Sequence, residues 1–354
     1  MLLWIEGFDN FGTSVGSAPS PTGVVARKYA SVNYETCMDV ETGRLGGYAL
    51  QLQFDNGCYF SPGDVTTNDT VVLGFAVKWK TSWPNLLYKR FASLYDGATL
   101  GMNLAMTANG EVEVRRGTTT LKTTSGLGLS LGAWAYFEFK VTCADSGSYE
   151  LRVNGVTVAS DTGVNTKAGT HNYHTTFRLT GTSGNDGGAA IYDDLYFLDG
   201  SDGGNGNKDF LGDMRVVTIR PDGDDTVQWT PGTGTDHYAL VDEIVAGTED
   251  DDAGGDYVED TVSDHKDLYT YAALAGVTSG IKGIQVNTDA RITDAGSFTL
   301  KSVVKSGETE SADEGQAISV ATYTTKSRVV EADPAGGAWS VSAVNAVKAG
   351  VQVG

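Results

Sequence analysis

Apolar and polar residues alternate with a period of two along much of the first 200 positions, and the runs stop at turn-forming residues. Residues 48–54, 102–106, 111–115, 135–141, 149–153 and 156–159 read as strands with one face on a core. The run 71–80 is apolar at first and alternates only at its end, as expected of a strand inside a sandwich. Asn-Gly pairs at 56–57, 109–110 and 154–155 suit tight hairpin turns. A last run, 189–198, closes this half.

The pattern breaks at 199–209, where four glycines stand among eleven residues with almost nothing to bury. This predicts a linker and sets the expected domains at 1–198 and 210–354. The second half opens with a strand-like run at 214–220 and a turn at Pro221-Asp222-Gly223. Further strands are expected within 281–290, 298–305, 317–324 and 328–331. Two short helices are expected, at 237–245 and 339–349. The second follows Asp333-Pro334, spaces Val341, Val344 and Val347 as a helix face, and ends at Gly350. The expected fold is therefore all-β: an N-terminal sandwich, then a smaller C-terminal β-sandwich-like domain with one or two short helices.

Composition narrows the partners. The 354 residues carry a formal charge of −20. Residues 1–200 hold 14 Lys+Arg and 19 Asp+Glu, and residues 201–354 hold 11 and 26, so the halves stand at −5 and −15. Such a chain repels phosphate backbones and anionic membrane surfaces, which argues against nucleic-acid or membrane partners. No apolar run approaches the roughly 18 residues of a membrane-spanning helix. The opening Met1-Leu2-Leu3-Trp4-Ile5 lacks a basic leader and does not read as a secretory signal. Cys37, Cys58 and Cys143 are odd in number and widely spaced, which suits free thiols better than a disulfide framework or zinc.

No nucleophile elbow, P-loop, dinucleotide fingerprint or HExxH is present. His171 and His174 have H-x-x-H spacing but no third ligand nearby, so they read as loop histidines. Glu111 and Glu113 lie two apart, the same-face spacing that brings carboxyls to the ~5 Å of a retaining glycosidase. They also fit a solvated outer face. Asp193 and Asp194, being adjacent on a strand, are expected to face opposite ways. The acidic stretch 242–267 has eleven Asp/Glu against one Lys and reads as a solvated surface loop. Its Asp250, Asp251 and Asp252, with the loop 222–225, are the candidates for a structural calcium ion; no other cofactor is implied. Trp79, Trp83 and Tyr88 cluster around an expected loop and are the candidate sugar platform.

The opening Trp4-Ile5-Glu6-Gly7-Phe8-Asp9 and the strand Ile191-Tyr192-Asp193-Asp194-Leu195-Tyr196 resemble the two ends of a concanavalin A-like (laminin-G-like) jelly roll of the kind found in tailed-bacteriophage structural proteins. The continuation Asp209-Phe210-Leu211-Gly212-Asp213 and the C-terminal Glu331-Ala332-Asp333-Pro334 fit the same pattern. The resemblance implies a non-enzymatic component of a phage tail, neck or capsid exterior, such as a fibre or decoration protein. It would assemble in the host cytoplasm, reside in the virion, contact other virion proteins and be a homo-oligomer, with a trimer favoured. The alternative is a carbohydrate-binding adhesin module that contacts a host-surface glycan. A glycosidase using Glu111 and Glu113 is the third reading.

Overall fold

The computed structural model describes residues 1–11, 24–53, 58–83, 89–181, 189–203, 205–242, 254–293, 296–319 and 322–354. The chain divides into two compact units, Met1–Val216 and Val217–Gly354.

The first unit contains β1 (Leu2–Glu6), the single-turn helix α1 (Val25–Lys28), β2 (Ser31–Asn33), β3 (Met38–Thr42), β4 (Tyr48–Leu52), β5 (Tyr59–Ser61) and β6 (Thr70–Trp79). Then come β7 (Lys89–Asp96), β8 (Thr99–Met106), β9 (Val112–Arg116), β10 (Thr119–Thr124), β11 (Ala135–Thr142), β12 (Gly147–Val153), β13 (Val156–Val164), β14 (Thr176–Thr180) and β15 (Ala190–Asp199). One sheet runs β13-β12-β11-β6-β15-β4-β3, with β1 also paired to β15; the other runs β10-β9-β8-β7-β14-β5-β2. All pairings are antiparallel and many neighbours are distant in sequence. This is the concanavalin A-like jelly-roll sandwich.

Two of the expected turns do as anticipated. Asn154 and Gly155 both take positive φ (51° and 77°) and close the two-residue turn between β12 and β13. Gly110 (φ 76°) sits in the β8–β9 hairpin. The turn expected at Asn56-Gly57 lies outside the described residues.

Between the sheets, alternating apolar positions interlock. Phe75 of β6 meets Phe91 of β7 at 6.2 Å, and Phe177 of β14 meets Phe197 of β15 at 5.2 Å. Tyr192 crosses the core to place its hydroxyl on the carbonyls of Phe91 and Thr180, both at 2.8 Å, so its polar end is not stranded. Cys58 and Cys143 are buried free thiols, and Cys37 is half-buried.

The 199–209 segment is not a free linker, and the unit boundary falls after Val216. Residues 209–216 form a strap over the outer face of the larger sheet. The Phe210 ring lies under the Arg152 guanidinium at 3.8 Å, and the Gly212 N–H donates to Glu138 at 2.8 Å. The Leu211 N–H donates to the Tyr196 hydroxyl at 3.1 Å, and the Val216 N–H to Asp194 at 2.7 Å. This cover explains why β15 is buried along its whole length and β6 along most of it: both faces of the sheet are shielded from water here.

The second unit contains β16 (Pro221–Val227), β17 (Thr230–Pro231), β18 (Val258–Glu259), β19 (Lys266–Tyr271), β20 (Ile284–Ala290), β21 (Phe298–Ser306), β22 (Thr309–Ala312), β23 (Gln316–Ile318), β24 (Thr324–Val330), α2 (Val341–Asn345) and β25 (Lys348–Val353). Its main sheet runs β16-β19-β25-β21-β22, with β23 added to β21; β20 pairs with β24 in a separate ribbon. Val304, Val330, Trp339, Val344 and Val347 form a core against which Ile284 and Val286 of the ribbon pack. Among its described residues the unit is β-sandwich-like with one short α-helix and, where a helix was expected at 237–245, a 3-10 turn at His237–Leu240.

Three expectations for this unit change. The strand expected at 214–220 is unpaired, because its first residues belong to the strap. Pro221-Asp222-Gly223 is not a turn but the bulged start of edge strand β16, where proline's missing N–H costs no ladder bond. The helix at 339–349 ends at Asn345, and its last third becomes β25, central between β19 and β21. Gly350 is needed there: a Cβ would lie 2.0 Å from the Asp267 carbonyl oxygen.

Candidate functional site

The outward face of the seven-stranded sheet gathers polar side chains from five neighbouring strands. Register places Arg115 (β9) opposite Asn103 (β8), Asn103 opposite Ser93 (β7), and Ser93 opposite Arg178 (β14). Thr176 stands opposite Tyr95, and Thr180 opposite Tyr59 of β5. Directly paired residues share a face, so these side chains form one surface while Phe177, Leu179, Leu104 and Val114 point inward. Four strand steps make the row roughly 19 Å long.

Arg178 is the centre of this surface. Its guanidinium lies 4.0 Å from the Tyr95 ring centroid and 4.5 Å from that of Tyr59. Both distances are within cation–π range. It forms no ion pair with a described carboxylate, and its Nε has no hydrogen-bond partner among the described residues.

Two buried neighbours share this condition. Asn103, fully buried, donates from Nδ2 to the Gly117 and Gly101 carbonyls at 3.0 and 3.3 Å, but its Oδ1 has no partner among the described residues. His174 lies over Gly101, on the same side of β8 as Asn103; a Cβ on Gly101 would lie 2.2 Å from its Nε2. That Nε2 accepts the Met102 N–H at 3.3 Å, while Nδ1 has no partner among the described residues. Burial lowers the His174 pKa to about 4, so the ring is neutral near pH 7. Unpartnered buried polar atoms are uncommon in native structures. Here two donors and one acceptor collect on one face.

The rest of the face is tied down. Arg115 Nη1 meets Glu113 at 2.7 Å, and Arg115 also donates to the Thr118 carbonyl. The Ser61 and Thr176 hydroxyls share a hydrogen bond of 2.9 Å. Glu113 is thus half-buried and ion-paired rather than part of a freely solvated face.

The sugar-platform and calcium candidates singled out from sequence fall elsewhere. Trp79 is 1% exposed, packed between Phe91 at 5.3 Å and Phe137 at 6.3 Å; it belongs to the core and cannot stack a ligand. Trp83 is half-buried, 5.6 Å from Trp79, with its ring over Gly110. Tyr88 lies outside the described residues, as do Asp250, Asp251 and Asp252. The acids of 222–225 are engaged within the protein: Asp224 accepts the His237 and Tyr238 N–H groups, and Asp225 pairs with Lys348 at 2.8 Å. The later part of 242–267 is a solvated loop at 261–264, but its end is not. Asp267 is fully buried, 2.6 Å from His237, and Asp260 holds His265 at 2.9 Å. Among the described residues no group of three or more His, Cys, Asp or Glu is arranged to hold a metal ion. Nor is any helix of the described residues long and apolar enough to cross a membrane.

His171 and His174 diverge. The first stacks on Tyr173 and meets Asp96 at 2.8 Å, and the second is buried. Asp193 and Asp194 do not face opposite ways. Asp194 adopts φ 50° within a bulge of β15, and the two carboxylates close on Arg44, one on its backbone N–H at 2.7 Å and the other on Nε at 2.8 Å.

No protein-family model matches the chain, and no curated protein sequence does. Solved structures share the fold. An endo-β-1,4-glucuronan lyase from the fungus Trichoderma reesei is 16% identical over 48% of this chain and 90% of its own, with a TM-score of 0.37. The alginate lyase Aly36B is 14% identical over 55% and 96%, TM-score 0.41. The receptor-binding domain of botulinum neurotoxin type G is 11% identical over 47% and 44%, TM-score 0.30. These likenesses concern the fold. They do correct the expectation of a phage-particle assembly component, since polysaccharide lyases and a toxin's receptor-binding domain are among the similar structures.

Proposed function

We propose that the first unit binds carbohydrate on the outward face of its seven-stranded sheet. One observation carries this reading: the Tyr59–Arg178–Tyr95 stack, set beside buried polar atoms that no described residue satisfies. A sugar chain offers such a face what it lacks. Its C–H surfaces lie against aromatic rings, and its hydroxyls accept from the half-buried Arg178 guanidinium. Of this row Tyr59, Arg178 and Tyr95 are half-buried while Arg115, Asn103 and Ser93 are buried, so the contact a sugar can make centres on the stack. Binding rather than bond cleavage is the proposed activity.

A glycan panel tests this, followed by titration of the best oligosaccharide. Tyr95→Ala and Tyr59→Ala should each weaken binding about tenfold or more, in line with the 1.4 kcal/mol that a tenfold change represents. Trp83→Ala should leave affinity unchanged. Loss of binding with Trp83→Ala, together with no effect of the two tyrosine changes, would move the site to the sequence-predicted platform. Release of reducing or unsaturated sugar ends would make the face catalytic.

A further inference from the structure

We propose that the glycan is anionic, and that Arg178 reads a carboxylate on it; this rests on the glycan-binding reading above. Among the described residues, three arginines (Arg90, Arg115 and Arg178) stand on or beside the face, and Arg115 neutralises Glu113. The described part of this surface is thus cationic within a chain whose net charge is −20. Placing positive charge on one face of an acidic protein favours an anionic ligand there and repels other copies of the protein elsewhere.

Arg178 differs from Arg115 on the same face and from Arg44 at the other sheet. Arg115 and Arg44 spend their N–H groups on carboxylates and carbonyls of the protein itself. Arg178 is held by two rings, with no described carboxylate paired to it. Contact with two rings uses none of the guanidinium's N–H groups. That edge is a planar fork whose two parallel N–H bonds match a carboxylate. The stack also fixes the side chain in advance, so less rotamer freedom is lost when a ligand arrives. A neutral sugar would use the rings but leave the positive charge without a counter-ion in a half-buried place.

The experiment uses the full chain and three probes: a polygalacturonate oligosaccharide, the same oligosaccharide with its carboxyls reduced to alcohols, and a sulfated oligosaccharide of similar length. Binding is followed by calorimetry at two salt concentrations. The uronate should bind, should weaken at least tenfold on carboxyl reduction, and should weaken with salt. Arg178→Lys keeps the charge but loses the fork, and should cost the uronate tenfold or more with little change in unfolding temperature. Comparing the native and reduced oligosaccharides requires no substitution, so it stands even if the variant folds poorly. Equal binding of uronate and its reduced form would overturn the anionic inference and leave glycan binding intact. Tight binding of the sulfated probe that Arg178→Lys does not alter would overturn the carboxylate assignment. Failure of every glycan to bind would remove the underlying reading instead.

Discussion

Arg44 meets Asp194 side chain to side chain, Nε to Oδ2 at 2.8 Å, in a place where the arginine is 11% and the aspartate 3% exposed. Removing one partner of a buried pair leaves the other charge uncompensated, which costs about 3–5 kcal/mol. Arg44→Met should therefore destabilise the first unit by that order in urea unfolding. Adding Asp194→Asn to it should recover part of the loss. Strictly additive effects in this double-mutant cycle would mean that the contact contributes no coupling.

The neighbouring Asp193 gives a pH signature. Burial, then the Asp194 charge, pushes its pKa up to about 8. A raised folded-state pKa means that the contribution is fully present below the unfolded value of 3.8 and is lost as pH rises towards 8. The stability of the native chain, measured relative to Asp193→Asn, should fall steadily between about pH 4 and pH 8. A difference that stays flat across that window would show that the carboxyl is ionised throughout.

Gly74 and Tyr196 make a packing prediction. They are cross-strand partners, and a Cβ on Gly74 would lie 2.1 Å from the tyrosine ring. The ring cannot retreat freely, because its hydroxyl is hydrogen-bonded to Glu138 and receives the Leu211 N–H. Gly74→Ala should cost at least the ~1–3 kcal/mol typical of overpacking. An unfolding midpoint equal to that of the native chain would show that the ring has room to move.

How much of this was readable beforehand depends on whether the deciding contacts are local. Strands such as Ala135–Thr142 and the turn at Asn154-Gly155 follow from alternation and from which residues tolerate positive φ, both properties of a short window. The alternation Thr176-Phe177-Arg178-Leu179-Thr180 carried the same signal for β14, the strand that supplies the centre of the candidate site. What a window does not hold is the partner. Tyr59, Tyr95 and Arg178 come from three separate strands, and only the register brings them together. Trp79 and Trp83 look alike in sequence, yet one lies in the core because β6 runs between β11 and β15. The bulge that turns Asp194 towards Arg44 likewise depends on irregular pairing, not on the Asp-Asp sequence itself.

The 209–216 strap predicts where the first unit ends. A chain stopping at Leu198 loses the N–H donors that Leu211, Gly212 and Val216 supply to Tyr196, Glu138 and Asp194. Each buried acceptor left without its donor costs about 1–3 kcal/mol. Residues 1–216 should therefore unfold cooperatively, with a midpoint several degrees above that of residues 1–198. Equal midpoints would show that the strap is dispensable and would return the boundary to the glycine-rich segment.

His174 supplies the last prediction, at acid pH. Desolvation lowers its folded-state pKa from 6.5 to about 4, because a charged ring would sit 1% exposed over Gly101. The unfolded chain binds a proton near pH 6.5 and the folded chain does not until near pH 4. The stabilising contribution is thus complete above about pH 6.5 and drains away as pH falls. Each pH unit crossed in that window removes ~1.4 kcal/mol, so the loss reaches about 3 kcal/mol by pH 4. His174→Gln separates this effect from general acid unfolding. A glutamine oxygen can still accept the Met102 N–H, but it does not titrate. Native chain and variant should be similarly stable at pH 7.5, and the native chain should fall progressively below the variant between pH 6.5 and 4. Parallel pH profiles for the two would mean that the ring reaches solvent and protonates without cost. That outcome would also remove His174 Nδ1 from the buried, unpartnered atoms on which the carbohydrate face is argued.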